Sequence, residues 1–108
     1  MADSLKILAQ TSPLSNTLTN LYVVPSGKSC SVSSIVVCNA GTTAAKFRIS
    51  AAAGGSGNTQ SQYLYWDQDL DSNSTFVITI GISLTASDII RVQSNNALTS
   101  FNIFGVEV

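Results

Sequence analysis

The chain has 108 residues, five Lys and Arg against six Asp and Glu, and no His, so that only 10% of it is charged, where an average globular protein carries roughly 25%. A net charge of −1 gives no basic footprint for nucleic acid or an anionic membrane surface, and without imidazole the usual near-neutral acid/base catalyst and the commonest metal ligand are missing. Polarity comes instead from 17 Ser, 10 Thr, 8 Asn and 5 Gln.

Leu5 to Gln10 predicts a first strand. Residues 1–16 are the least core-like stretch, read as a strand or as an arm lent to a neighbouring subunit by strand addition; residues 17–108 are read as a single β-sandwich domain. The first residues lack the basic and apolar regions of a secretory signal, which predicts synthesis in a cytosol. Thr17 to Val24 places Leu18, Tyr22 and Val24 on one face and Leu21 and Val23 on the other. Pro25-Ser26-Gly27-Lys28 is a turn, with Pro presetting φ and Gly tolerating positive φ. Ser29 to Cys38 is the longest strand, with Cys30, Val32, Val36 and Cys38 expected on one face and Ser31, Ser33, Ile35 and Val37 on the other. Cysteines eight residues apart on one strand are separated by about 26 Å, well beyond the ~7 Å limit between Cα atoms of a disulfide. Free thiols are therefore expected, with an intermolecular disulfide as the alternative.

Ala45 to Ala52 alternates, Phe47 and Ile49 opposing Lys46 and Arg48. Gly54 to Asn58 is a loop. Ser61 to Trp66 is a strand with Leu64 and Trp66 opposite Tyr63 and Tyr65, and an acidic loop is expected from Asp67 to Ser74. Thr75 to Ile80 sends Phe76, Ile78 and Ile80 inward. Ile82 and Leu84 form a brief apolar pair, Ile89 to Gln93 a short strand with Ile90 and Val92 on one face, and Thr99 to Val108 closes the chain. No window shows a capped helical period, and no apolar run approaches the ~18 residues of a membrane span. The pattern predicts an all-β fold of about eight short strands in a two-sheet sandwich, jelly-roll-like, with a small closed barrel as the alternative.

Little in the chain resembles a reaction centre. Asp67, Asp69 and Asp71 alternate like the start of a calcium loop, but position six is Ser72 rather than Gly and position twelve is Ile78 rather than Glu. The serines have no His to activate them, and the glycine loop lacks the Lys-Ser/Thr of a phosphate cradle. No catalytic residue, metal or other cofactor is expected. Tyr63, Tyr65 and Trp66, next to Asp67, Asp69 and Asp71, are the candidate contact residues for a glycan or a protein partner. The competing reading puts Trp66 in the core and the tyrosines on a sheet face or subunit contact.

Leu21-Tyr22-Val23-Val24-Pro25, Ser33 to Asn39, Thr75 through Leu84 to Asp88-Ile89-Ile90-Arg91-Val92, and the ending Ser100 to Val108 resemble small β-rich virion proteins of tailed bacteriophages, cyanophages among them. The resemblance spans roughly residues 18 to 108. It implies a non-enzymatic virion component, either a capsid decoration protein or a part of the tail, baseplate or fibres. It also implies docking on other virion proteins. Few like charges and many hydroxyls and amides suit repeated packing of identical copies, so a symmetric homo-oligomer is expected, a trimer being the favoured state. The alternative function is a fibre-associated module that holds host surface glycan.

Overall fold

Strand formation follows the β-branched and aromatic runs, and the computed structural model describes residues 5–79 and 81–108. Among these lie nine strands: β1 (Lys6–Thr11), β2 (Thr19–Val23), β3 (Ser29–Asn39), β4 (Ala45–Ala52), β5 (Tyr63–Leu70), β6 (Ser74–Ile78), β7 (Ile82–Thr85), β8 (Ile89–Ser94) and β9 (Thr99–Glu107). One sheet runs β1-β9-β3-β6 with β7 also on β3, the other β2-β8-β4-β5. β6 and β7 lie end to end along one edge of β3, Ile35 facing Ile78 and Val32 facing Ile82. Counted as one interrupted strand, they complete the eight-stranded connectivity of a jelly roll, with two open sheets rather than a closed barrel. The ninth strand is the brief Ile82/Leu84 pair. The expected inward placement of Ile80 and the residues before Leu5 lie outside the described residues.

The inner faces meet in one core. Phe47, Phe101, Ile35, Ile49, Ile90 and Ile103 are all buried. Phe76 and Phe101 approach the Phe47 ring edge-on, with centroids 5.6 and 6.1 Å away, the geometry that aromatic quadrupoles favour. The predicted turn after β2 forms, with Gly27 at φ 76 and the Lys28 amide donating to the Pro25 carbonyl at 3.1 Å.

One end of the sandwich is closed by Asn39, a fully buried polar residue. Its Nδ2 donates to the carbonyls of Thr43 at 2.8 Å, Asp71 at 3.2 Å and Leu70 at 3.4 Å, and its Oδ1 accepts from the Gly41 amide at 2.9 Å. A single side chain thus ties the end of β3 to the start of β4 and the end of β5. At the other end Tyr22, Glu107, Lys6 and Cys30 form a rim cluster. The Tyr22 hydroxyl donates to Glu107 Oε2, and Lys6 Nζ lies 3.2 Å from Glu107 Oε1. Burial above all pushes the Tyr22 and Cys30 groups up, whereas the Tyr22 hydroxyl and then Lys6 hold the Glu107 carboxyl below the usual range.

Register slips occur in β1, β2 and β3 and twice in β5, and those in β2, β3 and β5 overturn the simple alternation. In β3 the register against β9 slips between Val32 and Ser34. Cys30 and Val32 therefore face the core at the start of the strand, and Ile35, Val37 and Asn39 face it afterwards. The expected common face of Cys30, Val32, Val36 and Cys38 is thereby broken. Cys30 is buried and Cys38 is half-buried on the opposite face, both as free thiols. Gly105 sits against this bulge, and a Cβ there would collide with the Ser31 carbonyl oxygen and stand 3.1 Å from Val32 Cα. In β2 a slip between Asn20 and Tyr22 buries both Leu21 and Tyr22 and leaves Leu18 and Val23 exposed. The two slips in β5 shape the candidate site.

Candidate functional site

The acidic segment is not a loop from Asp67 to Ser74. β5 continues to Leu70, and only residues 71–73 turn. Pairing accounts for this: Lys46 faces Asp69 and Ala45 faces the buried Leu70 across the β4–β5 ladder. Between Phe47–Gln68 and Ile49–Tyr65 the register slips, so that Trp66 and Asp67 together oppose Arg48. Asp67 takes φ 50 to make this possible, a left-handed conformation that Asp tolerates better than most residues.

A bulge presents two side chains to one, and Arg48 uses both. Its guanidinium lies 3.6 Å from the Trp66 ring centroid, and its Nε and Nη2 donate to Asp67 Oδ1 and Oδ2 at 2.6 and 3.3 Å. Lys46 Nζ pairs with Asp69 Oδ1 at 2.5 Å. The hydrogen bond from Arg48 holds the Asp67 carboxyl below the usual range, and the same bond raises Arg48. A second slip, at Leu64, separates the tyrosines. Tyr63 turns outward, its ring 4.7 Å from Trp66 and its hydroxyl accepting from Asn58 Nδ2 at 2.6 Å. Tyr65 packs inward on Phe47 and Phe76, with ring centroids at 6.0 and 5.8 Å.

Of the six sequence candidates, Tyr63, Trp66, Asp67 and Asp69 thus share the outer face of β5. Tyr65 belongs to the core, and Asp71 sits in the turn, its carbonyl oxygen accepting from Asn39 and Ser74. Trp66 is 47% exposed, so the reading that buries it is wrong. Among the described residues, no group of three or more His, Cys, Asp and Glu side chains converges on a common point. A cavity of about 30 Å³ opens beside Arg48, Asp67, Lys46 and Gln93; it holds one water-sized guest, not a sugar ring. Arg48 escaped the sequence reading as a functional residue. Its signal was the match between Lys46/Arg48 and Asp69/Asp67, two cations and two carboxylates each spaced by two on antiparallel strands.

The glycine-rich connection from β4 to β5 is tied onto the same sheet. Arg91 donates to the carbonyls of Ser56 at 2.9 Å and Gly55 at 3.4 Å, and the Gly54 amide donates to Asp88 at 2.7 Å. The outer face of the four-stranded sheet therefore carries Lys46, Arg48, Arg91, Asp67 and Asp69. The five-stranded sheet is its opposite in character. By register and burial its outer face presents Ile7 and Gln10 from β1 and Ser100, Asn102, Phe104 and Val106 from β9. β3 adds Ser31, Ser34, Val36 and Cys38, and the edge adds Thr75, Val77, Ser83 and Thr85. None of these is charged. Gln10 Nε2 donates to Asn102 Oδ1 at 2.6 Å, so the two amides on this face satisfy part of each other's capacity.

No protein-family model, curated protein or solved structure matches this chain.

Proposed function

We propose that the chain is a non-enzymatic structural component of a tailed-phage virion that docks on other virion proteins through its sheet faces. The observation that carries this reading is the outer face of the five-stranded sheet, several strands wide and without a charged side chain among the described residues. Protein-facing surfaces lose charge at their centres and keep hydroxyls and amides that interfacial water can satisfy. Ile7 and Val77 are 56% and 58% exposed on this face, apolar area that gains from being covered. The jelly roll itself serves many functions, among them capsid building. The carboxylates that could have served chemistry, Asp67 and Asp69, are each spent on a cation. Quantitative mass spectrometry of density-purified particles tests the reading. A fixed ratio to the major capsid protein supports it, and its persistence in tailless shells selects decoration over the tail. A chain left in the lysate and absent from particles overturns it.

A second reading, a fibre-associated module holding host glycan, is favoured by the exposure of Trp66 beside Tyr63. Against it, Arg48 already lies over a Trp66 face. A glycan array with wild type and Trp66→Ala separates the two: binding that vanishes in a folded variant selects the module.

A further inference from the structure

We infer that the uncharged outer face of the five-stranded sheet is a self-association surface, and that its occupant is the same face of a second copy, related by a two-fold axis. The inference rests on the reading of this face as a protein-docking surface; it gives the face to a second copy and leaves docking on other virion proteins to the rest of the surface.

Charge decides between the faces. The four-stranded sheet displays ion pairs at Lys46–Asp69 and Arg48–Asp67. Burying such pairs strips water from ions at a cost their attraction often fails to repay. The five-stranded sheet asks for no such desolvation. Charge also decides the occupant: a partner of marked charge would meet no counter-charge here, whereas a second neutral face meets this one without a repulsive or orphaned ion. The face mixes apolar and polar side chains within each row. Ile7, Phe104 and Ser34 lie in one row, Gln10, Asn102, Val36 and Val77 in the next, and the Gln10–Asn102 hydrogen bond already satisfies part of what burial would otherwise leave short.

Size is sufficient. Four strand positions at about 4.8 Å, with β3 and β9 running eleven and nine residues, β1 six, and β6 and β7 five and four end to end, at about 3.3 Å per residue, make a face of about 19 by 29 Å on average. Two copies together cover on the order of 1,200 Å², above the roughly 1,000 Å² that a specific interface clears. A face that meets itself is isologous and generates a dimer; a three-fold ring needs two different surfaces.

Sedimentation velocity in reducing buffer tests this, the reductant ensuring that Cys38 on the same face contributes no covalent dimer. Wild type is expected as a dimer with a dissociation constant on the order of 1–100 μM. Val77→Arg, at an exposed position whose substitution spares the core, is expected to raise that constant at least about tenfold by burying two uncompensated guanidiniums across the axis. Gln93→Arg, on the outer face of the other sheet, is expected to leave it unchanged. Circular dichroism checks that both variants fold. A wild type that remains monomeric at about 500 μM overturns the proposal. So does a trimer, or a dimer broken by Gln93→Arg and untouched by Val77→Arg. A monomeric wild type whose Val77→Arg variant alone loses its place in purified particles assigns the face to a different protein. That result also overturns self-association while leaving the virion reading standing.

Discussion

Asn39 offers the sharpest test of how this sandwich is held. Replacing it with Ala removes a donor to the carbonyls of Thr43, Leu70 and Asp71 and the acceptor for the Gly41 amide, all at a fully buried side chain. The two short bonds, at 2.8 and 2.9 Å, are each worth about 1 kcal/mol net, and leaving the buried Gly41 amide unpaired adds about 1 kcal/mol more. The expected loss is about 3 kcal/mol, a large part of the roughly 5–15 kcal/mol that stabilises a domain of this size. On the scale for domains of about 100 residues, that lowers Tm by about 12–24 °C. Urea denaturation followed by Trp66 fluorescence and calorimetry both read it. Asn39→Asp keeps the shape but swaps the donor for a second acceptor facing three carbonyls, and is expected to cost at least as much. An Asn39→Ala loss below about 1 kcal/mol with the fold intact refutes the view that this side chain latches the end of the sandwich.

Gly105→Ala is expected to destabilise by about 1–3 kcal/mol in the same urea assay, because its Cβ meets the β3 backbone as well as the Leu8 side chain; a neutral result would mean that the bulge yields. The Asp88 carboxyl is held low by the Gly54 and then the Thr85 backbone amides, and Glu107 by Tyr22 and Lys6. Stability from such groups is fully present above their unfolded values, near about 4, and is lost as pH falls through the lower folded values. Tm should therefore fall on acidification below about pH 5, and Asp88→Asn should lower Tm at neutral pH while flattening that decline; a wild-type Tm that rises on acidification contradicts this. Brief alkylation followed by peptide mass mapping should label half-buried Cys38 well before Cys30, whose thiol is buried and pushed up, and equal labelling would contradict the burial of Cys30.

Much of the architecture was legible because turns and alternation are local. Pro25 to Lys28, the paired faces of β4, and the inward Phe76 and Ile78 all read directly from period-two patterning. The bulges were not legible. Each inserts one residue into a strand, flips every later side chain to the other face, and leaves only an ordinary Ser33, Leu21 or Asp67 as its trace. Cys38 went to the wrong face for that reason, and Tyr65 was grouped with Tyr63 although a register slip between them sends it into the core. The candidate site was legible as a cluster but not as a geometry. The six residues named there include four that share a face, and the Arg48 that organises them shows only in the cross-strand match of charges.

The gap between β6 and β7 bears on what this sheet edge offers to other strands. An unbroken edge along β3 would offer a long row of free amides and carbonyls, a template on which unfolded or misregistered copies could stack without limit. Ending β6 at Ile78 and restarting at Ile82 cuts that template into pieces of five and four residues, each shorter than the six or seven residues on which cross-β stacking relies. This edge is thereby left a poor template for open-ended stacking.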